Sequence, residues 1–222
     1  MQLLLIRSTN KILKITNYPR IELIAVVLTG ILKYILMDWL QMRAIYIAGI
    51  CIFWGAYILF SYATNREVMK HWGFTRDNFK RSMAFLLPLV VLSITVSLIY
   101  AYYNHSLIFT WHILPIICLY PIWGIIQQYL MLGLITNNLI SLTKPSINRY
   151  VLIFLISALF GLVHHTSYFL MIFTFAMEAV FLLAYFKWRN LWAIGIAHGW
   201  IGSFLLYFVL MRDLWSELFT WF

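Results

Sequence analysis

The sequence predicts an all-α protein, a polytopic transmembrane helical bundle of about seven spans. Three observations carry that prediction. Of the 222 residues 64% are apolar and only 10% charged, far outside the range of a soluble globular domain. Several apolar runs reach the roughly 20 residues that a spanning helix needs. The basic residues collect in alternate connections, as they do where cytoplasmic loops are rich in Lys and Arg.

Residues 1–20 form a basic N-terminal lead-in with Arg7, Lys11, Lys14 and Arg20 and no acid. The segment suits either a short basic helix on a membrane surface or a solvated leader. Its apolar run is short and its basic residues follow that run, so it does not read as a cleaved signal peptide. The first span is expected over residues 21–40, with Lys33 snorkelling outward, and the second over 44–63. Residues 65–81 hold Arg66, Lys70, Arg76, Lys80 and Arg81 against Glu67 and Asp77 and read as a surface segment on the cytoplasmic side. A third span is expected over 83–103, followed by an uncharged turn.

Residues 107–142 are too long for one straight span, and Pro115 and Pro121 are expected to break them into a lead-in and a Gln-bearing helix. The fifth span covers 150–164, the sixth 169–186 and the seventh 191–211, with the basic turn KWRN between the last two. Residues 21–211 thus form a single transmembrane domain, and 212–222 an interfacial tail rich in Trp and Phe. The alternation of basic and charge-poor connections puts the N-terminus in the cytoplasm, in an inner or plasma membrane of bacterial type.

The net charge of +9 is dispersed over short connections and makes no continuous stripe, which argues for anionic lipid head groups and against nucleic acid as the partner. Cys51 and Cys118 lie inside apolar runs, without a CxxC or Cys/His cluster, and read as packed thiols. No cofactor and no metal site is expected. His164, His198 and Glu178 form a two-His, one-carboxylate set only across separate helices, without the spacing of a ligand motif.

Polar residues inside the spans carry the functional argument. At about 1.5 Å per residue, Gln128, Glu178 and His198 lie about 12 Å from the cytoplasmic ends of their helices and His164 about 20 Å. Four polar side chains from four helices at similar depth suggest one interior cavity. Buried amides such as the pair Gln127 and Gln128 must be satisfied inside the protein. Glu178 is the acid set well inside a span, where it is costly unless paired or neutralised. It is read either as a functional carboxyl or as a protonated hydrogen-bonding link between helices. His198 lies in GIAHGWIG, where Gly195, Gly199 and Gly202 make a small-residue face suited to close helix contact. His198 then serves either the site or a structural bond across that contact. Phe160 and His164 share a helical face four residues apart.

In order and spacing these residues resemble the CPBP family of intramembrane proteases, which contains type II CAAX prenyl endopeptidases and bacteriocin-processing or bacteriocin-immunity (Abi) proteins. The family signatures EExxxR, FxxxH and HxxxN/D would correspond to Gln127 and Gln128 with Leu132, to Phe160 with His164, and to His198 with Gly202. The run YFKWRNLWAIGIAH also resembles the family segment leading into its last motif. The resemblance covers about residues 115–205 and implies a hydrolase in which a glutamate pair activates water while the histidines and the Asn or Asp hold the water and stabilise the oxyanion.

This chain departs at each signature. An amide lacks the basicity of the carboxylate it replaces, and Leu132 and Gly202 remove further polar groups. Three readings follow. The first is an intramembrane peptidase with an atypical constellation of Gln127, Gln128, His164, Glu178 and His198, acting on a transmembrane or lipidated peptide. In it Glu178 activates water with a histidine and the glutamines donate to the oxyanion. The second is a catalytically inactive family member that binds a lipid, prenyl group or transmembrane peptide as scaffold or immunity protein. The third is a proton-coupled transporter with Glu178 and the histidines as relay.

Overall fold

The computed structural model describes residues 18–143 and 147–219, and every regular element among them is a helix. The basic lead-in up to residue 17, with Arg7, Lys11 and Lys14, and the connection at Lys144 and Pro145 lie outside the described residues. Helix α1 runs Pro19–Leu32 and continues as wider π-wound turns over Lys33–Trp39. It is followed by α2 Arg43–Thr64, the short α3 Arg66–Trp72 and α4 Phe79–Tyr103. Then come α5 Ile113–Leu142, α6 Arg149–Val163, α7 Tyr168–Trp188, α8 Leu191–Val209 and α9 Leu214–Phe219.

Helix starts follow the local chemistry. The side chains of Asn65, Asn148, Ser167 and Asn190 each accept a hydrogen bond from a backbone N–H in the turn that follows, the last from Ala193 at 2.9 Å. These bonds satisfy donors that a helix N-terminus otherwise leaves unpaired.

Five of these helices, α2, α4, α5, α7 and α8, are long and apolar enough to cross a membrane. The expected count of about seven is therefore not confirmed. Helix α6 has 15 residues, about 22 Å of rise against a hydrocarbon core of about 30 Å. Helix α1 is interrupted by Glu22, Lys33 and Asp38. Helix α8 forms the centre of the bundle, with Ala193, Ile194, Ala197 and Ile201 fully buried, while α2 and α4 turn Ile52, Leu59 and Leu92 outward. An apolar outer face of this kind is what a helix presents to lipid.

The structure corrects three local expectations. Residues 113–142 form one continuous helix, with Pro121 inside it. Pro115 falls in the first turn, where a missing N–H costs nothing, and neighbouring helices tolerate a proline in a membrane helix. Residues 65–81 are only partly a surface segment, because Val68, Trp72 and Phe74 are buried in the bundle. The Trp72 and Phe74 rings join Trp54, Tyr57, Tyr129 and Trp192 in one aromatic cluster. Lys33 does not snorkel away. Its ammonium donates to Asp38 at 2.9 Å and to the carbonyl of Val163 at 3.0 Å, at the C-terminal end of α6, where the helix dipole favours a cation.

Charge separates the two ends of the bundle. At one end lie Arg20, Arg66, Lys70, Arg76, Lys80, Arg81, Arg149, Lys187 and Arg189. Toward the opposite end every described Lys or Arg is ion-paired: Lys33 with Asp38, and Arg43 and Arg212 both with Glu217 at 2.6 Å. The tail is thereby fastened, since α9 carries Glu217 and its capping residue Asp213 takes a 2.5 Å hydrogen bond from His112.

Burial pushes the Asp213 and Glu217 carboxyls up, but the bonds from His112 and Ser216 to the one, and from Arg212 and Arg43 to the other, outweigh it. Both end below the ordinary carboxylate range. A carboxyl depressed in the folded state stabilises it above the unfolded pKa, and that contribution is lost as pH falls through the folded value. The fastening of α9 is thus complete at neutral pH and weakens in acid below the usual carboxylate range. A spin label at Leu218→Cys is expected to be immobile at neutral pH and to gain mobility reversibly as the pH falls below the usual carboxylate range; unchanged mobility would show that apolar packing alone holds α9.

Candidate active site

The position of the site is set by the closest helix contact in the bundle, between α5 and α8. A side chain on Gly195 would meet the backbone of Ile125 at 2.6 Å, one on Gly199 the backbone of Pro121 at 2.3 Å, and one on Gly124 the carbonyl of Gly195 at 2.6 Å. Only hydrogen at these positions allows the two backbones to touch. One turn beyond Gly124 is Gln128, and three residues beyond Gly195 is His198, so the contact carries both into the same space.

There the Gln128 amide donates from Nε2 to Glu178 Oε2 at 2.8 Å and contacts His198 Nδ1 at 3.1 Å. An amide nitrogen is a donor only, so His198 Nδ1 is the acceptor and the ring carries its proton on Nε2. Gln128 and Glu178 are fully buried and His198 nearly so. The rings of Phe160 and Phe181 face His198 at centroid distances of 5.5 and 6.1 Å. Among the described residues, Glu178 Oε1 and Gln128 Oε1 are buried without a hydrogen-bond partner, as is Gln127 Oε1. Two of these oxygens, on Gln128 and Glu178, belong to side chains in direct contact.

Of the five expected site residues, the structure brings Gln128, Glu178 and His198 into direct hydrogen-bonding contact. Gln127 lies one residue along the helix and makes no side-chain hydrogen bond among the described residues. His164 stands at the end of α6, where its Nδ1 is 2.9 Å from the carbonyl of Phe160. The Phe160 ring packs against both histidines, 4.9 Å from His164 and 5.5 Å from His198. Among the described residues no group of three or more His, Cys, Asp or Glu is placed to hold a metal ion.

The positions at which this chain departs from the family signatures are closely packed. Leu132 is fully buried, and a side chain on Gly202 would meet the Tyr120 ring at 2.6 Å.

Two further polar groups were not foreseen. Glu22 is buried near the start of α1, accepting from Tyr57 at 2.6 Å and from Asn138 at 2.7 Å. Glu178 is therefore not the sole buried acid, although Glu22 has partners on both oxygens. At the basic end Asn137 donates to Tyr185 at 2.9 Å, and Arg189 donates to Asn137 and to the His71 carbonyl at 2.5 and 2.6 Å. Burial, followed by the charge of Arg189, lowers the His71 imidazole to about 4. Asn137 and Asn138 were legible as a polar pair late in an apolar run, but nothing in the sequence showed which helices they meet.

These features define an integral membrane protein whose helical bundle encloses an amide, a carboxyl and an imidazole in contact. Residues 109–204 match the family model described as type II CAAX prenyl endopeptidase, Rce1-like. That segment contains every residue of the cluster, and over it the chain is similar to CAAX-protease-like membrane peptidases. No curated protein and no solved structure matches the chain.

Proposed function

We propose that the chain is an intramembrane peptidase of the CAAX-protease type in which Glu178 replaces the carboxylate that the glutamine pair lacks. The observation that carries this reading is the asymmetric environment of Glu178. One oxygen is anchored by Gln128 at 2.8 Å, while the other, Oε1, is buried and unengaged. A carboxylate held by one oxygen is oriented, and its second oxygen is available to accept a proton from water within hydrogen-bond reach.

The step balances without further groups. Water oxygen adds to the peptide carbonyl carbon as its proton passes to Glu178. The His198 Nε2–H supplies a donor for the resulting oxyanion. Collapse then breaks the C–N bond, and the proton on Glu178 goes to the leaving amine. Gln128 acts as a positioning residue by fixing both the carboxyl and the imidazole tautomer. The substrate class is a lipidated or membrane-embedded peptide reaching the site from the bilayer. In the orientation favoured by its charge, the basic end faces the cytoplasm.

The test is hydrolysis of a synthetic prenylated peptide ending in a CAAX sequence by the purified chain in proteoliposomes. Wild type is expected to cleave it. Glu178→Gln, which keeps shape and hydrogen bonding, should lose at least about 100-fold in rate, the usual scale of a general base. Gln128→Glu in a Glu178→Gln background should not restore cleavage. Full activity in Glu178→Gln would remove Glu178 from the chemistry.

A second reading is favoured by the packing at Leu132 and Gly202, where apolar contacts fill the space of two family polar groups. It is a family member that binds a lipidated or transmembrane peptide without cutting it. In the same assay it predicts retention of the intact peptide by wild type, with no product.

A further inference from the structure

At the basic end a groove of about 530 Å³ opens between the start of α4 and the first turns of α8, lined by Thr75, Arg76, Phe79, Lys80, Trp192 and Ile196. Its two kinds of wall are segregated. Arg76 and Lys80 are exposed, and among the described residues neither side chain makes an ion pair or hydrogen bond. Trp192 and Ile196 lead away from them along α8, Ile196 lying about 7.5 Å further into the bundle than the first residue of that helix.

The groove is also a fixed shape. Asn190 donates to the carbonyls of Thr75 and Asp77 at 2.8 and 2.9 Å, holding the loop before α4 against the start of α8. The Leu191 amide donates to the Gly73 carbonyl at 2.9 Å, and the Trp192 ring packs on Phe74 with centroids 5.2 Å apart. Several other cations at this end are engaged, Arg66 among them over the Tyr62 ring. Lys70 pairs with Glu67 at 3.3 Å, Arg149 lies over Phe186, Lys187 over Trp188, and Arg189 is hydrogen-bonded.

We propose that this groove is a binding site for an anionic glycerophospholipid of the leaflet facing the basic end. Arg76 and Lys80 take the phosphodiester, and one acyl chain lies along Phe79, Trp192 and Ile196. Charge complementarity selects the head group, since each Lys or Arg at a membrane surface attracts anionic lipid appreciably. The apolar lining continuing inward from the cations selects a lipid over a soluble anion, and Trp192 lies between the two zones, as tryptophans do at membrane interfaces. Asp77 is on the same loop but does not line the groove.

The experiment is native mass spectrometry of the full chain, delipidated and then exchanged into mixed micelles of equal phosphatidylglycerol and phosphatidylcholine. Wild type is expected to retain one phosphatidylglycerol in clear preference. Arg76→Gln with Lys80→Gln should reduce that preference roughly tenfold or more, and Ile196→Trp, which fills the apolar end, should also reduce retention. Arg66→Gln, at the same end but outside the groove, should leave it intact. Equal retention by the double variant, an equal loss in Arg66→Gln, or unchanged retention in Ile196→Trp would each overturn the proposal. Displacement of the lipid by inorganic phosphate would do the same, because the occupant would then be a free anion. All variants lie away from Glu178 and are read by bound mass, so the outcome is independent of peptidase activity.

Discussion

Gly199→Leu is expected to prevent the bundle from forming. The first atom of any side chain there would sit 2.3 Å from the Cα and 2.6 Å from the nitrogen of Pro121, well inside van der Waals contact. Both neighbours are backbone, so no rotamer change relieves the overlap. Helix α8 would have to move off α5, and the loss would extend along Gly195 and Gly124. Overpacking a core side chain typically costs about 1–3 kcal/mol, and forcing two backbones apart should exceed that range.

Even Gly199→Ala should lower the unfolding temperature in mild detergent clearly. By contrast Gly49→Ala, at a glycine with nothing within 4 Å of the added carbon, should be neutral or slightly stabilising. Equal behaviour of these two alanine variants would mean that α5 and α8 are not in backbone contact.

The second large effect concerns Gln128. Gln128→Leu removes the one amide that serves two buried acceptors, Glu178 Oε2 and His198 Nδ1. Leaving a buried polar group unpaired costs about 1–3 kcal/mol, so a loss of about 2–5 kcal/mol is expected from the pair. Removing the orphaned acceptor should return part of it. Gln128→Leu with Glu178→Leu is expected to be more stable than Gln128→Leu alone, although it carries one more substitution. Measured as a double-mutant cycle, the coupling should lie well above the few tenths of a kcal/mol seen for independent sites. A coupling near zero would show that the 2.8 Å bond contributes nothing to the folded state.

These two predictions also bear on function, because the contact that the glycines permit is what places the imidazole against the amide. In the proposed peptidase the carboxyl gains a fixed orientation from a residue that cannot itself act as a base. That arrangement gives Gln128 a role different from that of a glutamate at the same position. Gln128→Glu would set two carboxyls about 2.8 Å apart, where they share a proton and neither acts as an independent base.

Much of this was legible in the sequence because it depends on periodicity and polarity along one chain. The apolar runs fixed the helices at 43–64, 79–103 and 168–188 to within a few residues, since in lipid only a helix satisfies its own backbone. The depth of Gln128, Glu178 and His198 followed from residue rise alone. Meeting at one depth was enough to propose a common cavity, and the glycine spacing around His198 signalled a close contact.

Only the tertiary structure decided what lay across each contact. A proline reads as a break, yet Pro121 is accommodated within α5 against a glycine of α8. Lys33 reads as a side chain reaching for water, yet an acid and a helix C-terminus lie within its reach. His164 reads by its depth as a site residue, yet what it lies against, the Phe160 carbonyl and ring, is a matter of how α6 ends. The physical reason is common to all three. Composition and spacing determine which groups must be buried, whereas the partner that satisfies each one belongs to another helix and depends on how closely the backbones approach.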